Sequence, residues 1–228
     1  MTAKVIAVLN QKGGCGKTNT TMELAGSLGK SDLEVLVVDA DPQGTSQRWS
    51  VTAPDDTPFP AHVVGFSHAG GKVHKEVKKY YDKYDYIIVD CPPSVDSPVP
   101  ASILMVADLA IVPVIPSPPD LWAAVEIVEL IENIRDVYNE ELIGRILINL
   151  KKPNRNLAAD VLSVVEKLNI SVMQTVIHDR DAYKAAAGYG VTVHDLGSSA
   201  KKAQEEIAAF AQEVYDILEP SLAAETAV

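Results

Sequence analysis

Cysteine, aromatic residues and positive charge are all scarce in this sequence of 228 residues. The two cysteines, Cys15 and Cys91, lie far apart, which matches neither a disulfide framework nor the close ligand spacing of a zinc site. This usage favours a reducing cytoplasm. Lysine and arginine total 20 against 31 acidic residues, and the net charge of -11 argues against a surface that is basic throughout. Any contact with nucleic acid therefore requires a local basic patch.

Long apolar runs are absent as well. No run approaches the roughly 18 residues of a membrane-spanning helix, and the residues before the first apolar run are too few for a signal peptide. Apolar residues nevertheless make up 47% of the sequence, which is enough for a sizeable core. We expect one domain over 1–228, with a flexible C-terminal tail at about 219–228 and no membrane segment. Trp49 and Trp122 are expected to pack on helix faces.

The sequence does contain short runs rich in valine and isoleucine, which are typical of strands buried on both faces. They predict strands at 4–10, 34–40, 86–90, 109–115, 143–150 and 171–178. Helix-like stretches lie at 17–29, 72–84, 97–106, 119–138, 157–168 and 199–218. The alternation predicts an α/β fold, a mainly parallel twisted sheet flanked by helices on both faces. The Pro- and Asp-rich segment 52–60 is expected to be a surface loop.

A glycine-rich loop follows the first predicted strand, where ligand-bearing turns of such a sheet lie. Its end, Gly16-Lys17-Thr18, matches the standard phosphate loop G-x-x-x-x-G-K-[ST], although Gln11 stands where the first glycine belongs. Small residues let backbone N–H groups close on phosphate oxygens, and the next helix adds its positive dipole. Lys17 is predicted to hold the β- and γ-phosphates and Thr18 to ligate Mg²⁺. The predicted nucleotide-binding residues of the loop are Lys12, Gly13, Gly14, Cys15, Gly16, Lys17, Thr18 and Asn19.

Three aspartates lie at the ends of predicted strands. Asp39 and Asp41 follow one buried strand with a spacing that points both side chains the same way. Two carboxylates facing a phosphate loop indicate Mg²⁺ handling and the positioning of water. Asp90 ends the hydrophobic run YIIVD. We expect these carboxylates to gather beside the phosphate loop.

The segment KGGCGKT (12–18) resembles the deviant phosphate loop of the ParA/MinD family of ATPases, the deviant Walker A type of P-loop NTPase. VLVVDADPQG resembles the family's second conserved segment and YDYIIVDCPPS its Walker B strand. VPVIPSPPDLWAA and TVIHDRDAYKAAAGYGVTV are similar to later segments of the short, plasmid-type ParA partition ATPases. The resemblance covers Lys4 to about Ile217, and we expect the likeness to be with the short members of the family, which have no N-terminal helix-turn-helix extension.

The resemblance implies roles for individual residues. Lys12 corresponds to the family's signature lysine, which reaches across an ATP-dependent sandwich dimer to the partner's phosphates, and with Lys17 and Asp41 it forms the predicted catalytic set. Asp41 orients the attacking water. Thr18, Asp39 and Asp90 serve the metal, with Asp39 organising its shell and Asp90 holding Mg²⁺ through water. Pro116 and Asn149 resemble base-contacting positions, although a loop constraint or a satisfied strand-end amide would explain them equally well.

The function implied by the resemblance is ATP hydrolysis that drives positioning. An ATP-bound homodimer coats nucleoid DNA without sequence preference, and a ParB-like or other cargo adaptor stimulates hydrolysis. The cargo is a plasmid or chromosome origin, or a protein assembly such as a carboxysome or chemoreceptor cluster. The protein is then expected in the cytoplasm on the nucleoid. The candidate DNA contacts are Arg180 and Lys184, then Lys201 and Lys202, then the cluster Lys151, Lys152 and Arg155.

Two other classes of function remain as alternatives. A MinD-like membrane-cycling regulator requires a basic amphipathic helix, whereas the C-terminal sequence YDILEPSLAAETAV contains no lysine or arginine. A metabolic P-loop enzyme of the dethiobiotin synthetase type has no need of Lys12. A nitrogenase-reductase-like electron donor requires cluster cysteines, a set that Cys15 and Cys91 do not supply.

Overall fold

The computed structural model describes residues 2–94, 97–152 and 169–219. Seven strands in this part of the chain form one sheet in the order β3-β2-β4-β1-β5-β6-β7, and every neighbouring pair is parallel. The strands are β1 (Lys4–Val8), β2 (Val35–Asp39), β3 (His62–Gly65), β4 (Tyr86–Asp90), β5 (Leu109–Val114), β6 (Ile143–Lys151) and β7 (Ser171–His178). The predicted α/β class and all six predicted strands are confirmed. The short edge strand β3 was not predicted.

The described α-helices are α1 (Lys17–Gly29), α2 (Thr45–Thr52), α3 (Val73–Val77), α4 (Pro98–Leu104), α5 (Pro118–Val137), α6 (Asp181–Tyr189) and α7 (Lys201–Leu218). Ser97 and Ser117 cap α4 and α5, each followed by proline, a residue that suits the first helical position. Helices α2 and α6 were not predicted. The predicted helix 157–168 lies outside the described residues, as do residues 220–228 of the expected tail.

The helix predicted at 72–84 is wrong in extent. Only Val73–Val77 is α-helical, between 3-10 segments at Ser67–Lys72 and Lys78–Tyr80. Val73 and Val77 supply one buried turn, and the lysines around them are exposed. One turn of apolar stripe cannot anchor a longer helix, because most helical stability in proteins comes from packing of an apolar face.

Apolar residues cover both faces of the sheet. Along β1, Val5 and Ala7 join a layer beneath α3, α4 and α5, whereas Ile6 and Val8 join a layer beneath α1, α2, α6 and α7. Strands buried on both faces explain the nearly continuous hydrophobic runs in the sequence. In the described part of the chain, no helix is long and apolar enough to cross a membrane.

The two tryptophans have different environments. Trp49 of α2 is buried and donates from its indole Nε1 to the Val191 carbonyl at 3.0 Å, as a packing role predicts. Trp122 is 63% exposed in the second turn of α5, so the packing prediction is wrong for it. Its neighbour Leu121 faces the core instead.

Glu23 of α1 is a buried carboxyl group in the second layer. Its Oε2 accepts a hydrogen bond from the Val193 N–H at 3.0 Å, and its Oε1 has no partner among the described residues. Burial raises the pKa of Glu23 to about 8, against the hydrogen bond from Val193, and the nearby Asp195 carboxylate raises it further. The folded protein therefore keeps a proton on Glu23 at neutral pH.

This proton makes stability depend on pH. In the unfolded chain Glu23 has the ordinary pKa of 4.5 and loses its proton at lower pH than in the folded protein. The free energy of unfolding therefore falls as pH rises from about 4.5 to about 8. The slope is at most about 1.4 kcal/mol per pH unit. Glu23→Gln keeps an acceptor for Val193 and should flatten the profile, which urea unfolding at pH 5.5, 6.5 and 7.5 measures. Exposed Glu205→Gln serves as the control, and equal slopes for wild type and Glu23→Gln would contradict the assignment.

Candidate nucleotide site

The loop between β1 and α1 is shaped by its glycines. Gly14 and Gly16 have φ angles of 78° and 88°, in the left-handed region that glycine adopts without a steric penalty. A Cβ on Gly16 would lie 2.4 Å from the Asn149 amide nitrogen, so no side chain fits there. A Cβ on Gly13 or Gly14 would meet no atom within 4 Å. The loop thus leaves open space above its backbone and before the N-terminus of α1, an arrangement suited to phosphate.

Lys17 opens α1 and is only 7% exposed. Its ammonium donates to the Lys12 carbonyl at 2.9 Å, so it lies inside the loop. The Cys15 thiol also contacts that carbonyl, and burial raises the pKa of Cys15. A protonated, buried thiol fits the packing role expected from the sequence. Lys17 is placed to act as the cation of an anion-binding loop.

Asp90 lies at the end of β4, beside Asp39 in the register of β2 with β4. Its Oδ2 accepts from the hydroxyls of Thr18 at 2.7 Å and Ser46 at 2.8 Å, whereas its buried Oδ1 has no partner among the described residues. Burial raises the pKa of Asp90 to about 7, against the two hydroxyl hydrogen bonds. A buried carboxylate oxygen without a donor, next to a threonine hydroxyl, fits the oxygen ligands that Mg²⁺ prefers.

Asp39 and Asp41 differ in their surroundings. Asp39 is fully buried, and its two oxygens accept from the backbone N–H groups of Asp41 at 3.2 Å and Gln47 at 3.1 Å. Burial raises the pKa of Asp39. Asp41 is half-buried, and its Oδ1 accepts from the Gln43 N–H at 2.9 Å. Asp39 therefore holds the turn after β2 in shape, and Asp41 lies nearer to the surface of that turn.

Lys12 extends from the loop to the first turn of α5. Its ammonium forms an ion pair with the Asp120 carboxylate, and the Lys12 side chain is 43% exposed. The adjacent Gln11 amide donates to the Ala123 carbonyl at 2.5 Å. Both residues before the first glycine are thus attached to α5. The two lysines of the loop have distinct surroundings, with Lys17 inside the loop and Lys12 at its rim.

The two predicted base-contacting positions are Pro116, which precedes α5 in the chain, and Asn149, which lies in β6 after it. Asn149 of β6 is fully buried, and its amide donates to the Cys15 carbonyl at 2.9 Å while its Oδ1 accepts from the Leu150 N–H. This side chain braces the phosphate loop, which is the satisfied strand-end amide considered from the sequence. Pro116 is half-buried just before the cap of α5, and Asn19 is half-buried in the first turn of α1. Their contact with nucleotide stays a prediction.

The described candidates for DNA contact converge on one corner. Lys151 pairs with His178 in the register of β6 with β7, and Arg180 lies two residues after His178. The Arg180 and Lys202 side chains line two neighbouring clefts, which places α7 at the same corner. We call this the basic corner, made of Lys151, Lys152, Arg180, Lys184, Lys201 and Lys202. Arg155 lies outside the described residues.

Acidic side chains neutralise part of this corner. Arg180 donates from Nε and Nη2 to Glu206, with Nη2 at 2.5 Å, and His178 and Tyr183 bond the same carboxylate. Lys184 pairs with Asp179 at 3.5 Å and Asp181 at 3.2 Å, and Lys201 lies 3.9 Å from Glu205. Lys202 is exposed and makes no ion pair within the described ranges. Arg180 thus also has a structural role that the sequence did not reveal.

Sequence reasoning missed three partners of the predicted residues, namely Ser46, Asp120 and Glu206. Ser46 lies two residues after DADPQG and Asp120 is the last residue of PSPPD, so each lies in or beside a segment that resembles the family. Glu206 belongs to a helix whose acidic residues suggest an ordinary solvated face. The register of β2 with β4 and the position of α7 bring these residues to their partners, and neither can be read from a local pattern.

Comparison with known proteins identifies the family of this chain. Residues 6–193 match the model of the CobQ/CobB/MinD/ParA nucleotide binding domain. The Halothiobacillus neapolitanus protein named maintenance of carboxysome distribution protein A is 32% identical over 212 residues, covering 93% of this chain and 96% of the relative. The protein of the same name from Gloeobacter kilaueensis is 30% identical, with 92% and 94% covered.

A solved structure extends the comparison to the fold. The complex of a Cyanothece McdA variant with ATP superposes with a TM-score of 0.74 at 18% identity, covering 95% of this chain and 96% of the other. The sheet order and the strand–loop–helix context of the glycine loop are those expected of a P-loop fold. By the match of its nucleotide-binding domain and by its relatives, the chain belongs to the CobQ/CobB/MinD/ParA nucleotide-binding family.

Proposed function

We propose that this protein is a ParA-type ATPase that positions a cargo by cycling between an ATP-bound dimer on DNA and a released state. The observation that carries the proposal is the pair of lysines in one loop. Lys17 is enclosed by the loop, whereas Lys12 is at the rim with an ammonium that its own loop does not use. A second cation at the rim serves a phosphate held opposite, in another subunit.

The nucleotide would be held by residues already in place. The backbone of Gly13 to Gly16 borders the space for phosphates, and the Lys17 ammonium, which bonds the Lys12 carbonyl, would turn to them. Thr18 and Asp90 would offer oxygens to Mg²⁺. Bound Mg²⁺ neutralises phosphate charge and polarises the bond that hydrolysis breaks. Asp41, half-buried at the turn after β2, is assigned to orient the attacking water. Asn149 fixes the loop carbonyl of Cys15 and so keeps the phosphate-facing N–H groups in position.

The basic corner supports a DNA-binding surface. It lies at the carboxyl end of β7, three strand spacings from β1 and therefore about 14 Å across the sheet from the phosphate loop. One such corner per subunit gives only weak affinity, since sequence-independent binding depends on the number of phosphate contacts. A dimer presents two corners together. This doubling would make DNA binding depend on ATP through dimerisation.

The names of both relatives favour a protein assembly of the carboxysome type as cargo over a plasmid or chromosome origin. An adaptor protein on that cargo would stimulate hydrolysis and release the dimer from the nucleoid. The membrane-cycling alternative lacks support, because α7 carries its lysines only in the first turn and acidic residues along its length.

DNA binding by purified protein tests the proposal. Wild type should bind a random duplex with ATP and not with ADP, as measured by fluorescence anisotropy at several salt concentrations. Replacing Lys152 and Lys202 together by alanine should weaken this binding several-fold. The slope of log affinity against log salt should fall by about one unit for each DNA phosphate that the variant no longer neutralises. Arg180 is less suitable for this substitution, because Glu206 would lose the guanidinium that donates to its carboxylate.

A matched control comes from the opposite end of the sheet. Lys72 and Lys75 are exposed lysines near α3, and replacing both removes the same charge from another surface. That variant should bind DNA as wild type does. An equal loss in the two double variants would mean that net charge alone matters. Failure of wild type to bind DNA with ATP at low salt would overturn the positioning proposal.

A further inference from the structure

Asp120 is the ion-pair partner of Lys12, the lysine at the rim of the loop. Its carboxylate forms the ion pair with Lys12, and the Ser117 hydroxyl donates to the same carboxylate. Asp120 lies in the first turn of α5, where the helix dipole favours a negative charge. The Asp120 side chain is only 9% exposed, so its anion depends on these partners. The structure thus fixes Lys12 to its own subunit.

The residues next to Lys12 tie this ion pair to the interior of the loop. Gln11 donates to the Ala123 carbonyl of α5, and Lys17 donates to the carbonyl of Lys12 itself. If Lys17 turns toward a bound phosphate, it must give up the Lys12 carbonyl. Occupation of the loop therefore removes the bond between the Lys12 backbone and Lys17, so that residues 11–12 keep only the Gln11–Ala123 and Lys12–Asp120 contacts with α5.

We propose that Asp120 is a positioning residue that retains Lys12 within its own subunit, and that dimerisation exchanges Asp120 for the phosphates bound by the partner. This inference rests on the proposed function, because it takes Lys12 to act across the dimer. One ammonium cannot serve both anions. Asp120 offers a single negative charge, whereas a triphosphate offers more charge than a diphosphate. Asp120 thereby sets a threshold that favours dimerisation with ATP over ADP.

The size of the effect follows from the exposure of the pair. A partly exposed ion pair is worth about a twofold to fivefold factor in an equilibrium constant. Each dimer breaks two such pairs, one in each subunit, so the factors multiply. Asp120→Asn, which has the same shape and still accepts from Ser117, should lower the dimer dissociation constant by about tenfold. It should also allow more dimer with ADP.

Sedimentation velocity with a non-hydrolysable ATP analogue measures this directly. We expect wild type to be monomeric without nucleotide and dimeric with the analogue, and Asp120→Asn to reach half-dimerisation at about one tenth of the protein concentration. Ser117→Ala is the matched control, because it removes the cap and the hydroxyl bond to Asp120 but leaves the Lys12–Asp120 charges. It should dimerise much as wild type does. Melting temperatures report whether either variant is misfolded.

A second pair of variants tests whether Asp120 affects dimerisation through Lys12. Lys12→Ala and the double variant with Asp120→Asn should dimerise equally poorly, since Asp120 acts only through Lys12. Tighter dimerisation from Asp120→Asn in the Lys12→Ala background, or unchanged or weaker dimerisation in the wild-type background, would overturn the inference alone. A wild type that stays monomeric with the analogue would instead defeat the proposed function. The two failures are therefore distinguishable.

Discussion

Replacing Lys17 by alanine is expected to reduce ATP affinity by about 100-fold, as isothermal titration calorimetry would measure. Lys17 supplies the only ammonium that the described structure encloses within the glycine loop, where it lies 2.9 Å from the Lys12 carbonyl. Without it, the phosphates keep backbone N–H groups but lose their charge-assisted partner. Loss of that partner leaves a concentrated negative charge uncompensated in a half-enclosed site.

The control for this prediction comes from the same loop. Lys12→Ala removes an identical charge five positions earlier but should leave ATP binding by the monomer within a few-fold of wild type. A melting curve without nucleotide shows whether Lys17→Ala folds, since the variant loses one hydrogen bond to the loop. Tight ATP binding by folded Lys17→Ala would show that the glycine loop is not the phosphate site.

The position of the glycine loop and the buried strands could be predicted from the sequence. The spacing of the glycines, Lys17 and Thr18 follows from what backbone N–H groups need in order to reach phosphate, so the motif carries its geometry with it. The buried strands could also be predicted, because strands buried on both faces have unbroken runs of valine and isoleucine. Asp39 and Asp90 were predicted at the ends of their strands, and in the structure they lie side by side at the carboxyl ends of β2 and β4.

Short elements and distant partners were harder to predict. β3 has four residues and is partly exposed, and α2 buries only Ser46 and Trp49, so neither presents a periodic apolar pattern. The Thr18 and Ser46 hydroxyls meet on one oxygen of Asp90 because separate elements converge there. Sequence spacing indicates which residue types are present but not which of them share a partner. Asp39 illustrates the limit, since its predicted place in the metal shell coexists with two backbone bonds that define the turn.

Arg180 illustrates the same limit for charge. From the sequence it was a candidate DNA contact within a segment that also holds Asp179 and Asp181. In the structure its guanidinium lies against Glu206 of α7, a helix that begins 21 residues further along the chain. A cation can be counted from the sequence, but the carboxylate that neutralises it depends on tertiary packing. Lys152 and Lys202 are therefore better suited than Arg180 to a test of DNA binding, because Arg180 also binds Glu206.

The second large effect is expected at Lys12. Lys12→Ala should bind ATP yet remain monomeric with it, because it lacks the cation that we propose crosses to the partner's phosphates. Dimerisation should fall by about 100-fold or more, since each dimer lacks two such cations. Sedimentation with a non-hydrolysable analogue measures the change, and ATP-dependent DNA binding should disappear with the dimer.

Lys12→Arg separates charge from shape in this role. Arginine keeps the positive charge but presents a planar fork in place of a compact ammonium, so it should restore dimerisation only in part. Partial rescue by arginine together with failure of alanine would identify a charge contact across the dimer. If Lys12→Ala formed a normal ATP dimer, Lys12 would be only the partner of Asp120 on its own subunit. The presence of two lysines in one loop would then reflect the packing of that loop against α5, since no phosphate in a partner subunit would need the second cation.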